Sequence, residues 1–166
     1  SLLAAEVGVS EAALYRHFPS KTKMYEGLID YIEDILFSRI RIILKEKPDV
    51  ASCCYKILKL LLTFSERNPG FTRLLTGDAL TGETDRLHIR IRQLFDRIEA
   101  QLKQILREAE MTNNIRTTCS TKASANMILA LAEGRMSQFV RSGFNYSPTE
   151  NWQDQWSVVM VGFFRD

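Results

Sequence analysis

Few side chains of this sequence could perform chemistry. The chain contains two histidines, His17 and His88, and three cysteines, Cys53, Cys54 and Cys119. These residues have no metal-type spacing, and two histidines this far apart do not suggest a metal site or a catalytic triad. No glycine-rich phosphate loop is present, and an odd number of cysteines indicates buried or idle thiols in a reducing cytoplasm. We therefore expect a binding protein with no cofactor and no metal, not an enzyme.

The segment from Leu2 to Lys23 has the pattern of two short helices joined by a tight turn. Ala4 lies four positions before Gly8, so the second helix can cross the first closely while Gly8 adopts a conformation costly for other residues. Ser10 is a natural N-cap for a helix over 11–17. This arrangement directs the start of the second helix toward a DNA major groove, although a simple helical corner fits the spacing as well.

The residue types in this segment favour DNA. Tyr15, Arg16 and His17 have polar tips, whereas Ala12 leaves the outer face small. Lys21 lies at the start of the following helix, where a helix N-terminus and a lysine together form a good phosphate clamp.

Residues 7–21, VGVSEAALYRHFPSK, resemble the DNA-binding head of the TetR family, with its glycine turn, its Leu-Tyr-x-x-Phe recognition helix and the lysine that follows. The resemblance implies a head over 1–20, whose first helix would precede Ser1, and a helical body over 21–166 that dimerises and binds partners. Two recognition helices of a homodimer would then meet a palindromic site on double-stranded DNA. The implied phosphate contacts are Tyr15, His17 and Lys21; those to bases or nearby phosphates are Ser10, Glu11, Ala12 and Arg16.

Apolar residues recur at three- and four-residue steps along the rest of the chain, which predicts an all-α fold. The predicted helices are Lys21–Lys45, Val50–Arg67, Phe71–Thr76, Thr84–Glu110, Lys122–Ser142 and a final one that includes Trp152 and Phe163. Met111 to Thr121 is polar and is predicted to be a mobile loop. The net charge of +2 over 166 residues is too small for a general polyanion binder, and no apolar run approaches the ~18 residues of a membrane span.

Stretches of the body resemble one branch of the TetR family, the nucleoid occlusion factors. They are ERNPG at 66–70, TRLLTG at 72–77, QLFDRIEAQL at 93–102 and FVRS at 139–142. The similarity extends from the head to about Pro148 and is weaker over 111–121 and beyond Asn151. It implies a protein of the cytoplasm, associated with the nucleoid, that contacts the C-terminal tail of the division protein FtsZ and antagonises its polymers.

The same resemblance implies which residues contact the FtsZ tail. Such a peptide fits a groove between two long helices, with apolar walls and arginine ends. The implied contacts are Tyr31, Ile35 and Arg39 on the first long helix, and Leu60, Arg67 and Asn68 on the second. The alternative is that Tyr31 and Leu60 belong to the core and that Arg67 caps its own helix.

Three further alternatives stay open at this level. Ala130, Gly134 and Phe139 on one helix form a candidate dimer interface, or pack within the chain. The basic residues Arg86, Arg90, Arg92, Arg97, Lys103 and Arg107 meet DNA or an acidic partner, or form a solvated helix face. Finally, two other functions fit the body. One is a ligand-responsive repressor, which requires a closed apolar cavity, and the other is a helical adaptor without DNA function.

Overall fold

The computed structural model describes residues 19–83 and 85–166. In this part of the chain the helices are α1 (Lys21–Lys45), α2 (Val50–Arg67), α3 (Pro69–Leu75), α4 (Asp85–Asn113), α5 (Thr121–Arg141) and α6 (Trp152–Phe163). A 3₁₀ turn, Asp78–Leu80, lies between α3 and α4 in the chain. Two-residue strands, β1 (Arg116–Thr117) and β2 (Phe164–Arg165), pair antiparallel. Of the predicted DNA contacts, Ser10, Glu11, Ala12, Tyr15, Arg16 and His17 lie outside the described residues.

Helices α1 and α2 begin at polar caps. The Ser20 hydroxyl accepts the Lys23 N–H at 3.1 Å, and an Asp49 carboxylate oxygen accepts the Ser52 N–H at 2.9 Å. Each cap satisfies an N–H group that has no partner within its own helix. The predicted bounds of α1 and α2 are confirmed to the residue, and the prediction of an all-α fold is confirmed apart from the two short strands.

The core is a continuous apolar cluster to which every α-helix contributes. Ile29 and Ile32 of α1, Leu58 and Leu62 of α2 and Leu74 of α3 are completely buried. Each such side chain contributes about 1.5–3 kcal/mol relative to an exposed one, so α1, α2 and α3 form one packed unit. None of the helices in the described residues is both long and apolar enough to cross a membrane.

The prediction of a loop over Met111–Thr121 is wrong for most of that segment. Helix α4 continues to Asn113, and Asn114 ends it in the left-handed region, with φ of 56°, which asparagine tolerates well. The Ile115 N–H then donates to the Ala109 carbonyl at 3.2 Å, and the segment continues into β1. A two-residue strand is too short to show an alternating pattern, so the sequence carries no signal for it.

Helix α3 begins two residues earlier than predicted. Asn68-Pro69-Gly70 reads as a stop signal, yet Pro69 is also the first residue of the next helix. Proline suits that position because an N–H there has no partner within the helix. The same three residues therefore end α2 and start α3.

Candidate functional site

The six residues expected to contact a peptide border one groove. It has a volume of about 160 Å³ and lies between α1 and α2, with α3 at one end. The expected residues that line it are Tyr31, Ile35, Arg39, Leu60, Arg67 and Asn68, and three more are Thr63, Phe64 and Phe71.

Aromatic rings form one end of this groove. Phe64 and Phe71 stack with ring centroids 5.9 Å apart and planes at 4°, and the Tyr31 ring is tilted against Phe71 at 6.0 Å. Phe64 and Phe71 are buried, whereas Tyr31 is 53% exposed. The alternative that Tyr31 is a core residue is therefore wrong, because half of its side chain is available to a partner. Leu60 is half-buried and packs against the core, so it also has a structural role.

Two arginines border the groove without a counter-charge. Arg39 and Arg67 are exposed, and neither has an acidic partner within ion-pair distance among the described residues. The end of α2 is capped by Asn68, whose amide donates to the Phe64 carbonyl at 2.8 Å. The described contacts thus assign the capping role to Asn68 and not to Arg67. The guanidinium groups of Arg39 and Arg67 remain available to bind a carboxylate.

A buried pair of hydroxyl groups sets the angle between α2 and α3. The Thr72 Oγ1 lies 2.9 Å from the Ser65 Oγ, 2.8 Å from the Ser65 carbonyl oxygen and 2.9 Å from the Asn68 carbonyl oxygen. Both side chains are completely buried. These bonds hold α3 against the end of α2 and so present Phe71 to the groove. Sequence reasoning missed Ser65, Thr72, Phe64 and Phe71; the only signal was two small polar residues on otherwise apolar helix faces.

A second set of hydrogen bonds holds the C-terminal end of α2. The Thr149 hydroxyl donates to Glu66 Oε1 at 2.9 Å, and the Ser147 hydroxyl donates to the same oxygen. Arg135 donates to the carbonyl oxygens of Ser147 at 3.1 Å and Glu150 at 2.7 Å. The segment between α5 and α6 therefore braces the turn of α2 that carries Arg67.

Half of the basic residues along α4 are engaged by α1. Arg86 Nε lies 2.8 Å from Glu26 Oε1, and Arg90 donates to Asp30 at 2.6 Å and lies 3.6 Å from Glu33. The hydrogen bond from Arg90 to Asp30 is the main reason that the pKa of Arg90 is raised. The guanidinium carbon of Arg97 lies 3.7 Å above the centroid of the Phe37 ring.

These contacts correct both interpretations of the basic run. Arg86, Arg90 and Arg97 fasten α4 to α1, so they are neither a free DNA-binding stripe nor a purely solvated face. Arg92 and Arg107 are exposed and Lys103 is half-buried; these three have no ion pair with the described residues.

One predicted DNA contact falls within the described residues. Lys21, the first residue of α1, has its Nζ 3.0 Å from Glu83 Oε1 and 5.7 Å from the centroid of the Tyr25 ring. The lysine thus lies at the start of the body with an acidic partner from the segment before α4.

A second, larger cleft lies between α4 and α5. It has a volume of about 470 Å³, and its lining includes the exposed Arg92 and Asp96 and the half-buried Glu99 and Glu133. Burial raises the pKa of Glu133, and the charges of Glu99 and Asp96 raise it further. An open, charged cleft is not the closed apolar cavity that a ligand-responsive repressor requires.

The candidate dimer residues divide into two groups. Ala130 and Gly134 are exposed, and a Cβ at Gly134 would meet nothing within 4 Å. Phe139 is only 3% exposed and packs edge-on against Phe144, with centroids 5.2 Å apart. Phe139 therefore belongs to the interior of its own chain, and its side chain is not presented to a second copy.

The thiols of α2 are not poised for reaction. Cys53 and Cys54 are buried, and burial raises the pKa of Cys54 to about 12. Because the thiolate is the reactive form, Cys54 is inert at neutral pH, in agreement with the expectation of idle thiols.

Comparison with known proteins identifies the family of this chain. Residues 49–163 match the SlmA-like family described as "Tetracyclin repressor-like, C-terminal domain", and residues 1–28 match "Bacterial regulatory proteins, tetR family". Nucleoid occlusion factor SlmA of Shewanella woodyi is 58% identical over 157 residues, and that of Idiomarina loihiensis is 55% identical. Each alignment covers 95% of this chain and 80% of the relative.

Solved structures share the fold at low sequence identity. The regulator FadR of Bacillus subtilis, in complex with stearoyl-CoA, matches with a TM-score of 0.75 and 14% identity, over 96% of this chain and 86% of that one. The MbdR regulator of Azoarcus sp. CIB matches with a TM-score of 0.76 and 17% identity, over 96% and 85%. The chain belongs to the SlmA family of nucleoid occlusion factors, and is thus a non-enzymatic DNA-binding protein of the tetR class.

Proposed function

We propose that this protein keeps the division ring off the nucleoid. As a homodimer it binds a palindromic chromosomal site, and through the groove between α1 and α2 it contacts the C-terminal tail of FtsZ and antagonises FtsZ assembly. The observation that carries this proposal is that six residues expected from two separate helices line one groove.

The groove has the chemistry of a site for an extended, partly acidic peptide. From Tyr31 to Arg39 the α1 wall is about 12 Å long, at about 1.5 Å per helical residue. About four residues of extended chain cover that distance. Exposed aromatic surface at the Tyr31 end suits an apolar side chain, and the guanidinium groups of Arg39 and Arg67 suit carboxylates.

Binding of a fluorescent synthetic peptide with the FtsZ C-terminal tail sequence tests the groove. In fluorescence anisotropy, we expect Arg39→Ala and Arg67→Ala each to weaken binding by about tenfold. Arg41→Ala is the matched control, since Arg41 is exposed on α1 but lies about 200° around the helix from Arg39. Wild-type affinity in both groove variants would contradict the proposal.

The tetR-family match over residues 1–28 supports the DNA-binding part of the proposed function. We expect Tyr15→Ala and Lys21→Ala each to weaken binding of a palindromic duplex selected by the wild-type protein from a random library. Gel shifts at fixed salt measure this, because phosphate contacts depend strongly on ionic strength. A helical adaptor without DNA function would retain no duplex.

The homodimer is proposed to form through α5 and α6. Ala130 and Gly134 provide a close-approach surface, and Leu131, Val158 and Val161 on the same two helices are 41%, 74% and 85% exposed. Gly134→Glu should convert the dimer to a monomer in analytical ultracentrifugation, whereas Ala100→Glu, on the exposed face of α4, should not. An unchanged mass for Gly134→Glu would exclude this face.

A further inference from the structure

The contact between Lys21 and Glu83 joins the DNA-proximal end of α1 to the segment before α4. The two charged atoms are 3.0 Å apart, and the side chains differ in exposure: 51% for Lys21 and 15% for Glu83. The lysine is thus half exposed to water, whereas the carboxylate is largely removed from it.

Glu83 is held in place by its surroundings. Its N–H donates to the Leu80 carbonyl at 2.8 Å, and the Tyr25 hydroxyl donates to the neighbouring Ala79 carbonyl at 3.4 Å. In the ion pairs of the described residues, Lys21 is the cation that faces Glu83. A largely buried carboxylate that loses its cation is left uncompensated, which is unfavourable.

Nearby acidic residues have other partners. Glu26 lies 3.3 Å from the Lys23 Nζ and 2.8 Å from the Arg86 Nε, and Asp78 accepts from Arg73 at 2.6 Å. Glu83, in contrast, pairs with Lys21 in the described residues.

We propose that Glu83 competes with the DNA backbone for Lys21 and thereby sets the DNA affinity of the protein. To bind Lys21, a DNA phosphate must break the ion pair between Lys21 and Glu83. The net free energy gained from the phosphate contact is therefore smaller. Glu83 is therefore an acidic residue outside the DNA-binding head that limits DNA binding. This inference rests on the proposed function, in which Lys21 contacts phosphate.

Duplex binding by four proteins tests the competition. In fluorescence anisotropy with the library-selected duplex, Glu83→Gln should bind about two- to fivefold more tightly than wild type, the range expected when an ion pair with one exposed partner no longer opposes binding. Lys21→Ala should bind more weakly. In the Lys21→Ala background, Glu83→Gln should give no further gain, because the contact that it relieves is already absent.

The control variant carries the same change of charge elsewhere. Glu46→Gln removes an exposed carboxylate that lies 3.4 Å from Lys56 at the far end of α1. Glu83→Asp keeps the charge but withdraws it by one methylene, and should give an intermediate gain. It also provides a second variant if Glu83→Gln lowers stability in circular dichroism melts.

The possible failures separate the two proposals. Equal gains for Glu83→Gln and Glu46→Gln, or a gain that persists in Lys21→Ala, would overturn the competition and leave DNA binding intact. Wild-type protein that retains no duplex would overturn the proposed function itself. Lys21→Ala with wild-type affinity would remove the phosphate role of Lys21, and with it the competition.

Discussion

The arginines that face α1 from α4 and those that border the peptide groove have the same side chain in opposite surroundings. Arg90 is 27% exposed and lies against Asp30 and Glu33, and Arg97 stacks on Phe37. Arg39 and Arg67 are exposed, with no acidic partner among the described residues. The first pair is committed to the fold, whereas the second is available to a partner.

This difference shows that local charge density alone does not identify which cations are available to a partner. The α4 run contains more basic residues than the groove, yet two of them, Arg86 and Arg90, already pair with carboxylates of α1, and Arg97 stacks on Phe37. Volume alone would not select the groove, since the α4–α5 cleft is about 470 Å³ and the groove about 160 Å³. What distinguishes the groove is that Arg39 and Arg67 have no acidic partner among the described residues and that about half of the Tyr31 side chain is exposed.

The largest expected effect comes from reversing the charge of the groove. Arg39→Glu combined with Arg67→Glu should reduce FtsZ-tail binding by more than about 100-fold, because two attractive contacts become repulsive. The free energy of unfolding in urea should change by less than about 0.5 kcal/mol, as for other exposed positions. Arg41→Glu should leave binding within about twofold. A large loss of stability in the double variant would mean that these arginines are committed to the fold after all.

The next effect concerns the corner that presents Phe71. Thr72→Val keeps the shape of the side chain but removes the hydroxyl group that lies among Ser65 and Asn68. We expect a loss of about 1–3 kcal/mol, since the buried Ser65 hydroxyl group loses the Thr72 hydroxyl group as its partner. Urea unfolding measures it, with the exposed Thr112→Val as the control.

A purely structural role for Thr72 would change stability and nothing else. If the corner positions Phe71, folded Thr72→Val should also bind the FtsZ-tail peptide several-fold more weakly. Unchanged peptide affinity in folded protein would show that the corner does not shape the groove.

Local patterns in the sequence were enough to predict the helices. Ser20 and Asp49 are polar caps next to apolar repeats, so the bounds of α1 and α2 follow from nearby residues. The six groove residues were expected from family resemblance, not from spacing, because nothing in the pattern of α1 states which residue of α2 it will face.

Non-local features could not be predicted in this way. The pairing of β1 with β2 joins residues 116–117 to 164–165, and each strand is too short to leave a pattern. The partners of Arg86, Arg90 and Lys21 are similarly remote in sequence or lie on a different element. Phe139 matched the apolar repeat of α5 equally well as a core residue or as an interface residue, and only the packing against Phe144 separates the two.

A smaller effect is expected at the contact between α4 and α1. Arg90→Ala should lower the free energy of unfolding by about 0.5–1 kcal/mol, because it leaves Asp30 and Glu33 without their cation. The loss should shrink as salt is added, since exposed charges are screened. Arg107→Ala, on the same helix and without an ion pair among the described residues, should have almost no effect in the same urea titration. Equal effects of the two variants would remove the distinction between committed and available arginines.

The smallest expected effect concerns an acidic side chain in the cleft between α4 and α5. Glu133 is crowded by Glu99 and Asp96 in a partly buried cleft whose lining also includes His88 and Arg92, and its pKa is raised above the ordinary value of 4.5, first by burial. The folded state therefore holds this proton more tightly than the unfolded state, so the contribution of Glu133 to stability is lost as pH rises through its folded pKa.

Glu133→Gln should be more stable than wild type at pH 7, by less than about 1 kcal/mol. The gain should vanish near pH 4, where the wild-type carboxyl is protonated in the folded state. Urea unfolding at the two pH values measures this, with the exposed Glu110→Gln as the control. A gain of the same size at both pH values would show that packing, and not the charge of the Glu133 carboxylate, is the cause.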